Sequence, residues 1–288
     1  MSEKSLPQAV AWMFATVVSF LLMAIAGREL SAEVGPAEIV LFRNLVCLAV
    51  LAAILTRIGW RHGATARPGR HVMRNIVHFA STVAWFWAIA RIPIAEVFAI
   101  EFTSPIWTAL LAALFLGERL TPARVAAVTL GFIGTLVILR PGLGIVQPAA
   151  LAALAAAFGY AVTYIFTKDL VARDRPIVIL LWMNIVQFPL AAASAIPVWV
   201  TPSPALWPWV LMVGLCGLSS HYCLSRALGA GEATVVIPID FLRLPLAAVI
   251  AWFLYAETVD PWVYLGAAII FSGIWLNLRY AGGPAKVR

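Results

Sequence analysis

Ten stretches of the chain are apolar around the whole helical circumference: 8–27, 37–56, 72–90, 94–116, 122–139, 148–167, 177–197, 207–228, 233–254 and 261–278. Each approaches the roughly 20 residues that a helix needs to cross the hydrocarbon core of a bilayer. A soluble core helix would carry a polar face at helical period, and these runs have none. Barrel strands would be about half this length and would alternate. The pattern therefore predicts an all-α polytopic membrane protein with ten transmembrane helices.

The polar residues that punctuate the runs recur. Glu101-Phe102 answers to Asp240-Phe241, Glu118 to Glu257, Pro122 to Pro261 and Gly134 to Gly273, each 139 positions on, and Arg28-Glu29-Leu30 answers to Lys168-Asp169-Leu170 at 140. Such self-similarity marks a duplication. Residues 1–141 and 142–288 are the two copies, with five spans each. An odd number of crossings turns the second copy upside down, giving two inverted five-helix repeats around a central cavity. That is the usual build of secondary transporters. Thr121-Pro122 and Asp260-Pro261 each read as a helix N-cap followed by proline at the first helical position, opening spans five and ten.

Composition narrows the class without changing it. The chain is 63% hydrophobic and 11% charged, with a mean hydropathy of +0.95 and a net charge of +7. With the N-terminus inside, fifteen basic residues fall on inner segments: Lys4, Arg57, Arg61, Arg67, Arg70, Arg74, Arg119, Arg124, Lys168, Arg173, Arg175, Arg226, Arg279, Lys286 and Arg288. Only Arg28, Arg91 and Arg140 fall outside. The positive-inside rule then places both termini in the cytoplasm, with the chain in a plasma membrane, expected to be a bacterial inner membrane. The charge is dispersed over separate loops, so it reports topology and lipid headgroups and no nucleic-acid partner. Lys4 ahead of the first run could open a signal peptide, but that run is too long and reads as a retained span. Trp60, Trp199, Trp207, Trp209 and Trp262 stand at run ends, as interfacial anchors do. Cys47, Cys216 and Cys223 lie within spans without metal-ligand spacing, and no metal or cofactor is expected.

No P-loop, HExxH or GxSxG motif occurs, and no nucleophile has an evident base. The chemistry must come from ionisable groups at membrane depth, which are costly and face a cavity or a partner. These are Arg43, His78, Glu101, His221, Asp240 and Arg243. Arg43 and Glu101 stand at similar depth from the outer face and are read as a pair. Asp240, by the inversion, is placed near the inner face with Arg243 one turn on. Pro105 and Pro245 fall in mid-span and interrupt the helices that carry the acids. Interrupted helices at corresponding positions point to a transporter site, and the two prolines are candidate gate hinges. His78, Thr82 and Trp85 share one face of span three. Tyr160 and Tyr164 do so on span six, and His221 lies on span eight. The candidate substrate-binding set is thus Arg43, His78, Trp85, Glu101, Tyr160, His221, Asp240 and Arg243. The structural alternatives are self-neutralised ion pairs, packing kinks and packed aromatic stripes, and an intramembrane enzyme would need two facing catalytic groups at one depth.

Pro36 with Phe42-Arg43, Ala88 to Pro93, Ser104-Pro105, Leu116-Gly117-Glu118-Arg119-Leu120 and Gly131 to Gly134 resemble the EamA pattern of the drug/metabolite transporter superfamily. The resemblance covers essentially the whole chain. It implies ten helices in two inverted halves, with the cavity lined by spans one, three, four, six, eight and nine. The second copy departs from the pattern, with Ala256-Glu257 in place of Gly-Glu and Pro245 one position out of register. Within the family the chain looks most like amino-acid and small-metabolite exporters of the YddG type. That resemblance implies a small-molecule substrate and alternating access, with riboflavin-like, S-adenosylmethionine-like or drug substrates as alternatives to an amino acid.

Overall fold

The computed structural model describes residues 6–116, 122–139, 147–170, 173–230, 239–240 and 242–281, and among them every long element is a helix and no strand occurs. The helices are α1 (Leu6–Leu30), α2 (Pro36–Ile58), α3 (Pro68–Ile89), α4 (Ile94–Glu101), α5 (Ser104–Leu116), α6 (Pro122–Leu139), α7 (Pro148–Leu170), α8 (Pro176–Ala195), α9 (Trp207–Ala230), α10 (Arg243–Tyr255) and α11 (Pro261–Ala281). Six of them, α2, α3, α6, α7, α8 and α11, begin on proline. The missing N–H of proline costs nothing at a position where no intrahelical partner exists. Asp260 caps α11 as its sequence requires, accepting from the backbone N–H of Trp262 at 3.0 Å. Thr121, Gly117 to Leu120, Phe241, Lys4, Arg140, Lys286 and Arg288 lie outside the described residues.

Span four is two helices, where the sequence suggests one kinked helix. Pro105 cannot donate to Glu101, and the ladder breaks between α4 and α5. Tighter bonds replace it, from Thr103 N to Ile100 O at 3.0 Å and from Ile106 N to Thr103 O at 2.9 Å. Span nine repeats the device. Ile239 and Asp240 are helical, Leu242 N donates to Ile239 O at 3.0 Å, and a new helix starts at Arg243 just ahead of Pro245. Glu101 therefore ends α4, and Asp240 stands three residues before the start of α10.

The packing carries the signature of a pseudo-twofold. α1 packs on α9, and its repeat mate α7 packs on α3. α2 packs on α8, α6 on α11 and α4 on α10, each pair joining equivalent spans of the two copies. The α6–α11 contact is close because Gly134 and Gly266 meet there. A Cβ on either would stand 2.6 Å from the other's carbonyl oxygen, so only glycine allows this approach. Outward, the bundle is apolar: Leu114, Trp252 and Phe253 are all more than 60% exposed, which suits lipid and not water. Four described helical segments are long and apolar enough to span alone, Pro7–Leu30, Pro36–Ile58, Pro148–Thr167 and Pro176–Val198.

Polar cross-links tie the two copies at both ends. At one end the Glu33 carboxylate accepts from the Ser203 backbone and hydroxyl at 2.7 and 2.8 Å, and these bonds hold its carboxyl below the ordinary value. Glu38 accepts there from Val200 N at 2.8 Å. At the other end Arg67 pairs with Asp169 at 2.8 Å, and Asp174 accepts from Thr65 and bonds His71, each at 2.8 Å. The positive-inside expectation for the Arg67 end is the cytoplasm. Single cysteines replacing Ala66 and Ala205, both exposed, should react with an impermeant thiol reagent from the inside and the outside respectively. Labelling of both from one side would contradict the inverted arrangement. Gly63, the more obvious loop position, is buried, and a Cβ there would displace the Leu181 side chain, so it is a poor labelling site.

Candidate functional site

A cavity of about 430 Å³ lies between the two copies. One face of α3 lines it from end to end through Arg74, His78, Thr82 and Trp85, spaced i, i+4, i+8 and i+11. At 1.5 Å per residue that face spans about 16 Å. α7, packed directly against α3, supplies the adjoining wall with Tyr160, Thr163, Tyr164 and Thr167. At one end the lining includes the exposed Pro176 and Ser225, so the cavity reaches the surface there. At the other end it stops on Trp85 and Glu101.

The floor is an ion cluster. Arg243 Nη1 donates to Glu101 Oε1 at 3.2 Å, and Nη2 donates to Asp240 Oδ2 at 2.5 Å. Trp85 Nε1 donates to Glu101 Oε2 at 2.8 Å. The Arg243 guanidinium also lies 4.8, 5.0 and 5.2 Å from the ring centres of Phe20, Phe98 and Phe102, where aromatic faces favour a cation. The Glu101–Arg43 pair expected from matched depth does not form. Asp240 is not at the other half-depth either, because it shares a guanidinium with Glu101. Residue counting locates Cα atoms, whereas a long arginine reaches across a turn or more. Glu101 lines the cavity, and Asp240 and Arg243 stand behind it.

The middle of the cavity is a ring of aromatics held by a hydrogen-bonded chain. His78 lies 5.5 Å from Tyr160 and 5.8 Å from His221, and Phe20 lies 5.8 Å from His221, all between ring centres. Arg43 Nη2 donates to Gln187 Oε1 at 2.6 Å, and Gln187 Nε2 then faces His78 Nδ1 at 2.7 Å. An amide whose oxygen serves an arginine must donate with its nitrogen, so His78 Nδ1 accepts and its ring proton sits on Nε2. Gly217 makes room for Arg43, whose Cδ would stand 3.0 Å from a Cβ there. Of the candidate residues, Arg43, His78, Trp85, Glu101, Tyr160 and His221 share the cavity. Trp85 is also core, 2% exposed and packed on Phe86 and Phe98. Truncating it to alanine would therefore destabilise the fold as well as alter the cavity.

Sequence reasoning missed Arg74 and Gln187. Arg74 was counted among the inner positive residues, yet it stands four residues before His78 on the same helical face, and that spacing was the available signal. Gln187 is uncharged and offered none.

At the Arg28 end the two copies are latched. Arg28 donates to Glu257 and to the carbonyls of Ile89 and Ile92, the last at 2.9 Å, while Tyr255 donates to Glu29 at 2.8 Å. These bonds join the end of α1 to the end of α3 and to the segment between α10 and α11.

The ion cluster generates a test. Arg243→Gln strands two partly buried carboxylates and should cost about 2–4 kcal/mol, and adding Glu101→Gln with Asp240→Asn should recover most of it. Arg43→Gln and Glu101→Gln should instead combine additively. Strong coupling between Arg43 and Glu101 in thermal unfolding would show that the pairing drawn here is wrong.

Comparison with known proteins agrees with this architecture. The model of the EamA-like transporter family matches residues 7–140 and again 147–279. A riboflavin transporter of Rhizobium johnstonii is 30% identical over 271 residues, covering 93% of this chain and 90% of that protein. An S-adenosylmethionine uptake transporter of Rickettsia prowazekii is 26% identical over 93% of this chain and 91% of its own. A pseudopaline exporter of Pseudomonas aeruginosa is 28% identical over 88% and 89%. One solved crystal structure superposes with a TM-score of 0.68 over 97% of this chain and all of that one, at 20% identity, which shows the shared fold.

Proposed function

The chain belongs to the EamA-like transporter family, within the drug/metabolite transporter superfamily, and from that premise we propose that it is a secondary carrier for a small polar metabolite bearing a flat ring. It works by alternating access in a bacterial inner membrane, with both termini cytoplasmic. One observation carries this reading. The cavity between the copies reaches the surface at the Arg67 end, while the Arg28 latch joins the copies at the other. On the charge bias this is an inward-facing state.

The cavity supports the substrate class. Its volume lies in the range of sites for drug-sized ligands, larger than a single amino acid needs. Rings of His78, Tyr160, His221 and Phe20 offer faces for a planar group, and Glu101, Arg43 and Arg74 offer charge at separate heights. The molecules named for the relatives, riboflavin and S-adenosylmethionine, combine a ring system with polar groups in this way. Amino-acid export is the second reading. It is favoured by opposite charges in one cavity, which suit a zwitterion.

Spans four and nine are the moving elements in this account. Each is already broken beside its proline, and the two meet at the floor of the cavity. Opening outward requires the Arg28 latch to release and the α4–α10 contact to shift, with Pro105 and Pro245 fixing the hinge geometry.

Reconstitution tests the proposal. Proteoliposomes containing only this chain should show saturable flux of labelled riboflavin or S-adenosylmethionine. Glu257→Gln, which loosens the latch without touching the cavity, should change the maximal rate several-fold and leave KM within about twofold. Flux of aromatic amino acids alone would replace the first reading by the second. No flux of any of them from well-folded protein would contradict the carrier reading as drawn.

A further inference from the structure

Among the described residues, two arginines in the cavity have no carboxylate partner. Arg43 is 2% exposed, and its bonds go to the neutral side chains of Asn44 and Gln187, with Nε buried and unpartnered. Arg74 is 6% exposed and bonds the neutral Thr167 and Asn75. Neither forms a salt bridge among the described residues, whereas Arg243 has two carboxylates. An ionised group at membrane depth carries a large desolvation penalty, and an apolar or neutral residue would remove it. Two such groups lining one cavity are explained by a charge that arrives with the ligand.

Their placement is ordered. Arg74 stands four residues from His78 on α3 toward the open end, and Arg43 reaches His78 from α2 through Gln187. Arg74 therefore lies nearer the mouth and Arg43 deeper, either side of a ring whose Nε2 carries a proton. The one carboxylate of the floor that faces the cavity, Glu101, is engaged by Arg243 and Trp85.

We propose that the transported molecule carries an anionic oxygen group, a carboxylate or a phosphate, which Arg74 draws in at the mouth and Arg43 holds in the middle of the cavity, while its ring packs among His78, Tyr160 and His221. This rests on the carrier reading above and specifies the ligand of the same site. Guanidinium suits such a group because its planar fork matches two oxygens at once.

Matched pairs isolate the charge. Purified full-length protein is titrated with riboflavin against flavin mononucleotide, which adds only a phosphate. It is then titrated with S-adenosylmethionine against its decarboxylated form, which lacks only the carboxylate. The anionic member of at least one pair should bind about tenfold tighter or better, and which pair shows the ratio tells phosphate from carboxylate. Arg43→Gln and Arg74→Gln should each bring that ratio near one, leaving the other member within about threefold of its wild-type affinity. The ligand-free melting temperature of Arg74→Gln should hold or rise, because the substitution removes an uncompensated buried charge. Equal binding of both members of both pairs by the wild type would overturn the anion site and leave the carrier reading standing. A lower melting temperature with the preference intact would assign the arginines to structure and overturn it too. Binding of none of the four would overturn the substrate class proposed above, and this site with it.

Discussion

One guanidinium holds the two halves of this molecule together at its centre. Arg243 lies on the second broken helix and takes Glu101 from the first and Asp240 from its own. A buried cluster of this kind persists only when each member is satisfied, since losing one leaves the others stranded in a medium that cannot solvate them. The breaks ahead of Pro105 and Pro245 make it possible, because α4 ends on Glu101 and α10 starts on Arg243. The central joint of the fold is thus polar and sits at the point where both ladders are already interrupted, which is where rearrangement needs the fewest new bond failures.

From that joint the cavity takes its polarity. Its floor is the carboxylate end, closed by Trp85 and Glu101. Its middle is aromatic with Arg43 beside it, and nearer the mouth it carries Arg74 and, bonded to Thr65 and His71, Asp174. The pairing of Gln187 between Arg43 and His78 fixes which atoms donate, so the wall presents hydrogen-bond donors where the charge is positive. Walls come from α3 of the first copy and α7 of the second, so a relative tilt of the copies changes the width of the whole site.

Much of the architecture was legible in the sequence, for physical reasons. Apolar runs of bilayer length, proline at first helical positions and the 139-residue echo all express local rules that lipid enforces. α1 to α3, α6 to α9 and α11 coincide with predicted spans to within a few residues, and the breaks at Pro105 and Pro245 fall where the missing donors demand. The wiring between spans was not legible. Arg43 and Glu101 were matched by depth, but depth says nothing of azimuth, and Arg43 faces α8 and α9. Asp240 and Glu101 were set at opposite depths because side-chain reach was ignored. Arg74 was taken for a topological charge because it lies near the start of its span, although α3 begins at Pro68 and carries it inside. Trp85 stays open in the sequence between cavity and packing, and in the structure it both lines the cavity and packs the core.

In the proposed transport cycle the cavity opens alternately to the two sides as the Arg28 latch forms and releases. The most direct measurement is the distance between spin labels at Ala32 and Thr258, two exposed positions flanking that latch, in lipid nanodiscs with the transported substrate titrated in. The account predicts two distance populations whose ratio shifts with substrate, the shorter matching the latched state seen here and the longer dominating in Glu257→Gln. A single short distance, unchanged by substrate and by Glu257→Gln in protein that still transports, would contradict it.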